Sequence, residues 1–407
     1  MISRKILLAE ALLISLAACS QPAGTLPAAS PTATSTNLAT APVTVATATQ
    51  IPTASETPVP LTLPAVAAPA LVRIDFQDAN NGWGIAANGH GYVLRSEDGG
   101  SSWLDATPPG AGSIGFSAVL SVLDSNHAWV LVPATDFFSG TLYRTGDGGV
   151  RWNSSTTPFG GEFIQFTDES HGFALADRGV SVGSEAVELF QTTDGGATWS
   201  SVFHDDPGQA AASDSLPLAG IKNGMTFRDA RTGWVTGSIP QTGQVYLYMT
   251  QDGGVSWAQQ NPSLPAGYEA YQYLTQAPVF FGQEGFLPVT IYLPGKSVLT
   301  FYTSQDGGLN WNGDPANAGQ TIPAGLAAIA DTQHIWSWDG GATIYSTSDG
   351  AQSWANRPAS QDLSGVLSRL EFVPGFTGWA LTQLDNAGHS QLYRTTDGMN
   401  WTPLIIH

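Results

Sequence analysis

The sequence predicts an all-β protein, a seven-bladed β-propeller of four-stranded blades, and three observations carry that prediction. The first is an eight-residue box that begins as Ser96-Glu97-Asp98-Gly99-Gly100-Ser101-Ser102-Trp103 and recurs at Thr145 to Trp152, Thr192 to Trp199, Thr250 to Trp257, Ser304 to Trp311, Thr347 to Trp354 and Thr395 to Trp401. Its aspartates, Asp98, Asp147, Asp194, Asp252, Asp306, Asp349 and Asp397, stand 43 to 58 residues apart. A period in that range marks an array of units that bury their apolar faces only against neighbours. The second is an aromatic upstream of each box, in phase with it: Gly82-Trp83, Ala128-Trp129, Gly172-Phe173, Gly233-Trp234, Gly285-Phe286, Ile335-Trp336 and Gly378-Trp379. The third is a short alternating stretch further upstream, such as Val72-Arg73-Ile74-Asp75-Phe76 or Ser368-Arg369-Leu370-Glu371-Phe372. Alternation over four to six residues argues for a half-buried strand.

In order, each unit reads as strand, turn, strand with Trp or Phe, loop, strand, Asp-Gly-Gly turn, and strand closed by Trp. Four strands per unit and seven units predict a radial arrangement that leaves only short edges. No stretch outside the N-terminus shows a helical period. Within the box, Gly99 and Gly100 and their counterparts supply the positive φ of a tight hairpin turn. The Asp before them accepts hydrogen bonds from turn amides. The Ser or Thr two residues earlier bonds that Asp, and the Trp closes an apolar plug. Ala351 replaces the second glycine of the sixth box, and the seventh (Asp397-Gly398-Met399-Asn400-Trp401) is one residue shorter. Those two turns are expected to differ in geometry.

At these residues the chain resembles the Asp-box or BNR-repeat propellers, over roughly residues 71–407. That superfamily includes sialidases, xyloglucan-active glycosidases, sortilin-type receptors and the photosystem II stability and assembly factor family, and the pattern looks most like the last group and its bacterial relatives. The resemblance implies the fold; one fold hosts unrelated activities.

The N-terminus has the layout of an export signal. Arg4 and Lys5 precede an apolar run from Ile6 to Leu16, too short for a mature membrane span. It ends in Leu16-Ala17-Ala18-Cys19, which is similar to the bacterial lipobox, and Cys19 is the only cysteine. The resemblance implies removal of residues 1–18 and lipidation of Cys19, placing the protein outside the cytoplasm on a bacterial membrane; an ordinary secretory signal is the alternative. Residues 19–70 are expected to be a lipidated cysteine and a disordered tether, since Ser20 to Ala70 holds nine prolines and a single acid, Glu56. Such a composition cannot bury enough apolar surface to fold. Fully extended, it would reach roughly 150 Å.

Without Arg4, Lys5 and Glu10, twelve basic residues face thirty-two acids, a net charge of −20. That balance repels phosphate backbones, so nucleic acid is not an expected partner. In the photosystem assembly family a basic patch is implicated in partner contact, and no clustered basic run is visible here.

Of thirteen tryptophans, seven close boxes and five hold the turn-strand position, leaving Trp338 outside the repeat. With Asp339 it is read as part of a loop beyond the second strand of the sixth unit. First-to-second and third-to-fourth turns share one face of such a disc and are short. The other face carries the variable loops, with Thr135-Asp136-Phe137-Phe138, Gly183 to Glu188, the stretch from Phe203 to Gly220 including Asp205 and Asp206, and Tyr268, Glu269, Tyr271 and Tyr273. A rigid scaffold with one variable face, rich in aromatic and acidic groups, is a usual layout for binding. The candidate ligand-binding residues are therefore Trp338, Asp339, Phe137, Phe138, Asp205, Asp206, Tyr268 and Tyr271. The expected partner is a protein or glycan at the cell surface, and a monomer is expected.

Catalysis has weaker support. The chain has no Arg-Ile-Pro motif of the sialidase kind, and Arg95, Arg144 and Arg394 occupy one repeat position, so no converging triad is read from them. A xyloglucanase-like enzyme, the alternative reading, would need paired carboxylates across a groove. Asp136, Glu185, Glu188, Asp205, Asp206 and Asp339 are available, with no spacing that pairs them. No catalytic residue, metal or cofactor is assigned: His127, His171 and His334 share one turn position in separate units, and no calcium loop, phosphate loop or nucleophile elbow is present.

Overall fold

Strands are the only regular elements among residues 62–161, 163–205, 214–313 and 321–405, which the computed structural model describes. They form five four-stranded antiparallel sheets and one of nine strands. The first sheet takes its strands in chain order: Leu71–Phe76, Gly82–Ala86, Tyr92–Ser96 and Leu104–Asp105. The last does the same with Leu367–Val373, Thr377–Thr382, Leu392–Thr395 and Thr402–Pro403. The nine-stranded sheet contains a meander from Ile221 to Gln259, joined by the single pair Ser238–Leu274 to the strands between Gln272 and Pro323. In that second half the first strand is split into Gln272–Thr275 and Val279–Phe281, both paired with Glu284–Leu293. The break falls at Pro278, which has no amide hydrogen for the ladder.

Every box lies in the turn between a third and a fourth strand or its equivalent, and the bonding repeats. Ser96 Oγ accepts from Gly100 N–H at 2.8 Å and donates to Asp98 Oδ1 at 3.0 Å, while Asp98 accepts from the Ser102 amide at 2.9 Å and hydroxyl at 2.6 Å. The same set recurs around Asp194, Asp252 and Asp306, with Asn310 replacing the hydroxyl residue in the last. In the sixth box Ala351 itself takes a positive φ of 70°, and its amide donates to Thr347 Oγ1 at 3.2 Å. In the shorter seventh, Asp397 Oδ1 accepts from Met399 and Asn400, two and three residues on.

The box turn is tied to the first turn of its own unit. Gly99 N–H donates to Asn80 O, Gly148 to Asn126, Gly195 to Ser170, Gly253 to Arg231, Gly307 to Gln283 and Gly350 to Gln333, all at 2.8–3.0 Å. The two short turns therefore occupy one side of each sheet. In three first turns a histidine closes the loop, with Nδ1 of His127, His171 and His334 at 2.9 Å from Asp124, Asp168 and Asp331.

Neighbouring units are held by one repeated sandwich. The aromatic of a second strand stacks on the first-strand phenylalanine of the next unit: Trp129 on Phe166 at 3.9 Å, Phe173 on Phe227 at 3.5 Å, Trp336 on Phe372 at 3.9 Å. That phenylalanine also lies across the glycine opposite it in its own unit. A Cβ on Gly82, Gly172, Gly233 or Gly378 would come within 2.4–2.6 Å of the rings of Phe76, Phe166, Phe227 or Phe372. Where the first strand carries Val122 or Ile329 instead, the opposing residue is Ala128 or Ile335. Arginines before the box clasp the next unit, Arg95 to Gly148 O, Arg144 to Asp194 O and Arg394 to Ala79 O. Each serves its own interface.

The first and last units meet through the same contacts. Phe76 stacks on Trp379, Trp379 Nε1 donates to Gly99 O at 2.9 Å, and no strand is exchanged between the two sheets. The folded part begins earlier than Leu71. Val66 N–H donates to Trp103 O and Asp105 N–H to Pro64 O, laying residues 64–66 along the fourth strand of the first unit, whose edge is otherwise unpaired. Residues 64–70, expected to belong to a disordered tether, are thus part of the described fold; Cys19 and residues 1–61 lie outside the described residues.

Candidate functional site

The loop face receives some of the anticipated residues and withdraws others. Phe137 and Phe138 stand out at the tip of their loop, 57% and 61% exposed. Asp136 below them accepts from the Phe138 and Ser139 amides, which holds Phe137 at a φ of 61°. Tyr268 and Tyr271 are half-buried, with Tyr268 Oη 3.2 Å from Thr321 Oγ1. Tyr273 lies within a strand and donates to Tyr268 O.

Trp338 is a correction. It is the last residue of the strand Ile335–Trp338, 1% exposed, stacked on Trp401 and donating to Gly341 O at 2.7 Å. It fills the core between the sixth and seventh units and offers no face to a ligand. Asp339, next to it, is exposed and accepts from Gly341 N–H in its own turn.

Asp205 is a second correction. Its side chain is 5% exposed and forms part of an internal ionic cluster between the third and fourth units. Lys222 Nζ donates to the carbonyls of Glu185 and Pro217 and lies 4.0 Å from Asp205 Oδ2. Glu185 Oε2 accepts from the Lys222 amide at 2.6 Å. Burial raises Asp205 and lowers Lys222 from their ordinary values, each against the attraction of the other. This cluster joins two sheets and does not face solvent. Asp206 lies outside the described residues.

At several junctions the first strands of neighbouring units touch one another, among them Leu326–Ile329 with Leu367–Val373 and Leu367–Val373 with Leu71–Phe76. Two of them carry matched charges: Arg73 and Asp75 in the first unit, Arg369 and Glu371 in the last. Both strands have a bulge just before the arginine, at Leu71/Arg73 and Leu367/Arg369. A bulge re-aims the side chains that follow it. Ring closure then sets the two arginines together in the wall of a cleft of about 250 Å³, with Val72, Ile85, Ala118 and the 65%-exposed Phe116. No carboxylate lines that cleft among the described residues.

The charge state of this quartet follows from burial. Glu371 accepts from Phe76 N–H at 3.2 Å and lies 4.0 Å from Arg369 Nε, and Asp75 accepts from Gln77 Nε2 at 2.8 Å. Burial first, then the neighbouring Asp75, push Glu371 up to about 8, although its side chain keeps 23% of its surface open to the narrow axial space. Asp75 is raised as well, by burial. Burial raises both carboxyl groups, which weakens the negative charge set against the two guanidiniums. Arg73 Nε is buried with no hydrogen-bond partner among the described residues. Unmade donors of this kind are costly unless something fills them. The site combines a planar anion-binding fork with an apolar rim. Sequence reading missed Arg73, Arg369 and Phe116 as site residues; the matched Arg-x-acid pattern in the first and last inner strands was the available signal. Among the described residues no three His, Cys, Asp or Glu side chains gather as a metal site requires.

No family model and no curated protein matches the chain. Solved structures do. An ulvan lyase of polysaccharide lyase family 25, bound to its saccharide, aligns with a TM-score of 0.50 at 9% identity, covering 84% of this chain and 96% of that one. YCF48 bound to a D1 peptide aligns at 0.49 and 16% identity, covering 79% and 97%, and YCF48 from Cyanidioschyzon merolae at 0.48 and 16%, covering 82% and 96%. At these identities the likeness concerns the fold alone, which is that of a β-propeller.

Proposed function

We propose that the protein is a lipoprotein tethered outside the cytoplasm through Cys19, and that its propeller is a non-catalytic binding scaffold of the assembly-factor kind. In this reading the nine-stranded sheet is two blades joined by the Ser238–Leu274 pair, giving seven Asp-box blades. The loop face receives a protein or glycan that presents a carboxylate to Arg73 and Arg369. One observation carries the proposal: on a chain of net charge −19, two arginines converge in an axial cleft that no carboxylate among the described residues lines. A local positive site within an acidic surface selects among partners by charge complementarity. The exposed Phe116, Phe137 and Phe138 add apolar contact on the same face.

A hydrolase working on this face would need two carboxylates across a groove. Asp205 is buried against Lys222, Glu188 is paired with Arg178 at 2.8 Å, and Asp136 and Asp339 cap their own turns. These engagements support binding over turnover.

The test compares the full-length chain with Arg73→Ala/Arg369→Ala. Fluorescence polarisation would follow a neutral peptide with one free carboxylate and the same peptide amidated. The expected result is binding of the acid only, weakened at least tenfold in the double variant, with no turnover of a polysaccharide and aryl-glycoside panel. Robust hydrolysis, or equal binding of acid and amide, would overturn the reading.

A further inference from the structure

A cavity of about 540 Å³ lies away from the axial cleft, between the fifth and sixth units. That is within the usual size range of small-ligand sites. In five boxes the second glycine packs directly on the preceding unit: a Cβ there would meet Leu392, Ala106, Leu142, Leu189 or Trp234 at 2.0–2.9 Å for Gly100, Gly149, Gly196, Gly254 and Gly308. The sixth box has Ala351 at this position. A side chain stands here where those boxes pack bare backbone on the preceding unit, and it lines the cavity.

A second substitution shapes the wall. In the units with a first-strand phenylalanine, the box tryptophan packs edge-on against it, as Trp103 does on Phe76, Trp257 on Phe227 and Trp401 on Phe372. The sixth unit has Ile329 there, and Trp354 leans instead on Phe301 of the fifth unit, at 5.3 Å and 29°. The cavity thus acquires an aromatic wall flanked by Asn312, Thr332, Gln333 and Gln352. Among the described residues no lysine or arginine lines it; of its two carboxylates, Asp349 is occupied by its own turn through the Ser353 amide and hydroxyl, and Glu284 is exposed. Amides and hydroxyls both donate and accept, which suits a ligand whose hydroxyls do the same. Flat rings suit its apolar faces.

We infer that this cleft between the fifth and sixth units is a binding site for a neutral sugar, of one or two rings, separate from the axial arginines. Ala351 keeps it open, Trp354 and Phe301 supply the apolar wall, and the amide side chains read hydroxyl groups.

The experiment is saturation-transfer NMR on the full-length chain with cellobiose, xylobiose, mannobiose and maltose, and with glucuronate as the charged control. At least one neutral disaccharide is expected to receive saturation at millimolar concentration, and glucuronate is not. Ala351→Gly restores the residue of the five Gly-Gly boxes and suits the positive φ, so it is expected to fold while weakening binding at least tenfold. Gln352→Ala is expected to weaken it as well, and Arg73→Ala/Arg369→Ala to leave it unchanged. No transfer to any neutral disaccharide, equal transfer to glucuronate, or binding indifferent to both Ala351→Gly and Gln352→Ala would each overturn the inference.

Discussion

Phe76 and Trp379 lie face to face, their ring centroids 3.7 Å apart and their planes 1° from parallel, although they come from opposite ends of the folded chain. Phe76 also covers Gly82 of its own unit, and Trp379 Nε1 reaches across to donate to Gly99 O of the first unit. This contact closes the ring of sheets, and the same ring closure sets Arg73 beside Arg369.

Trp379→Ala should therefore cost more than the removal of an ordinary core side chain in a single sheet. Losing a buried aromatic costs about 3–5 kcal/mol. The expected result in urea unfolding is a fall of that size, accompanied by loss of carboxylate binding at the axial cleft. Unchanged binding in a folded variant would separate the cleft from closure.

Gly82→Ala should destabilise because its Cβ would meet the Phe76 ring at 2.4 Å. The second unit solves the same problem with Val122 opposite Ala128. Phe76→Val is accordingly expected to rescue Gly82→Ala in part, with a coupling of about 1–3 kcal/mol between the two sites in a double-mutant cycle. Simple additivity of the two changes would show that the ring is not what demands the glycine.

Replacing Lys222 by Ala leaves Asp205 and the buried end of Glu185 without their cation. Breaking a buried pair on one side costs about 3–5 kcal/mol. Lys222→Met/Asp205→Asn removes both charges and is expected to recover most of that loss. The comparison is made by the midpoint of chemical denaturation.

Two sets of carboxyl groups should shape the pH profile in opposite directions. The Thr198 amide holds Asp194 down to about 2, and the Asn400 amide does the same for Asp397. Their contribution is present above the ordinary carboxylate range near 3.8 and is lost as pH falls toward 2. Glu371 is raised from 4.5 to about 8, so its proton is held more tightly in the folded chain. The stability linked to it is full below 4.5, declines as pH rises, and is gone above about 8. Glu371→Gln should flatten the alkaline limb measured by thermal unfolding between pH 6 and 9 while leaving the acid limb as it is.

Much of the fold was legible because it is written locally. Asp98, Ser96, Gly100 and Ser102 bond within one turn, so the box can be read as a hairpin from its eight letters. The site was less legible. In the sequence Trp338 stands outside the repeat, yet the strand runs on to Trp338 and Trp401 packs over it. No local pattern around Asp205 announces that Lys222 of the next unit covers it.

The amino-acid order alone determined the unit, its strands and its turns, because backbone conformation and turn hydrogen bonds depend on residues a few positions apart. Only the tertiary structure decided which residues became a site. Arg73 and Arg369 line one cleft where the first and last units meet, and Ala351, Phe301 and Trp354 line another between the fifth and sixth. Both depend on distances between units, which no local periodicity encodes.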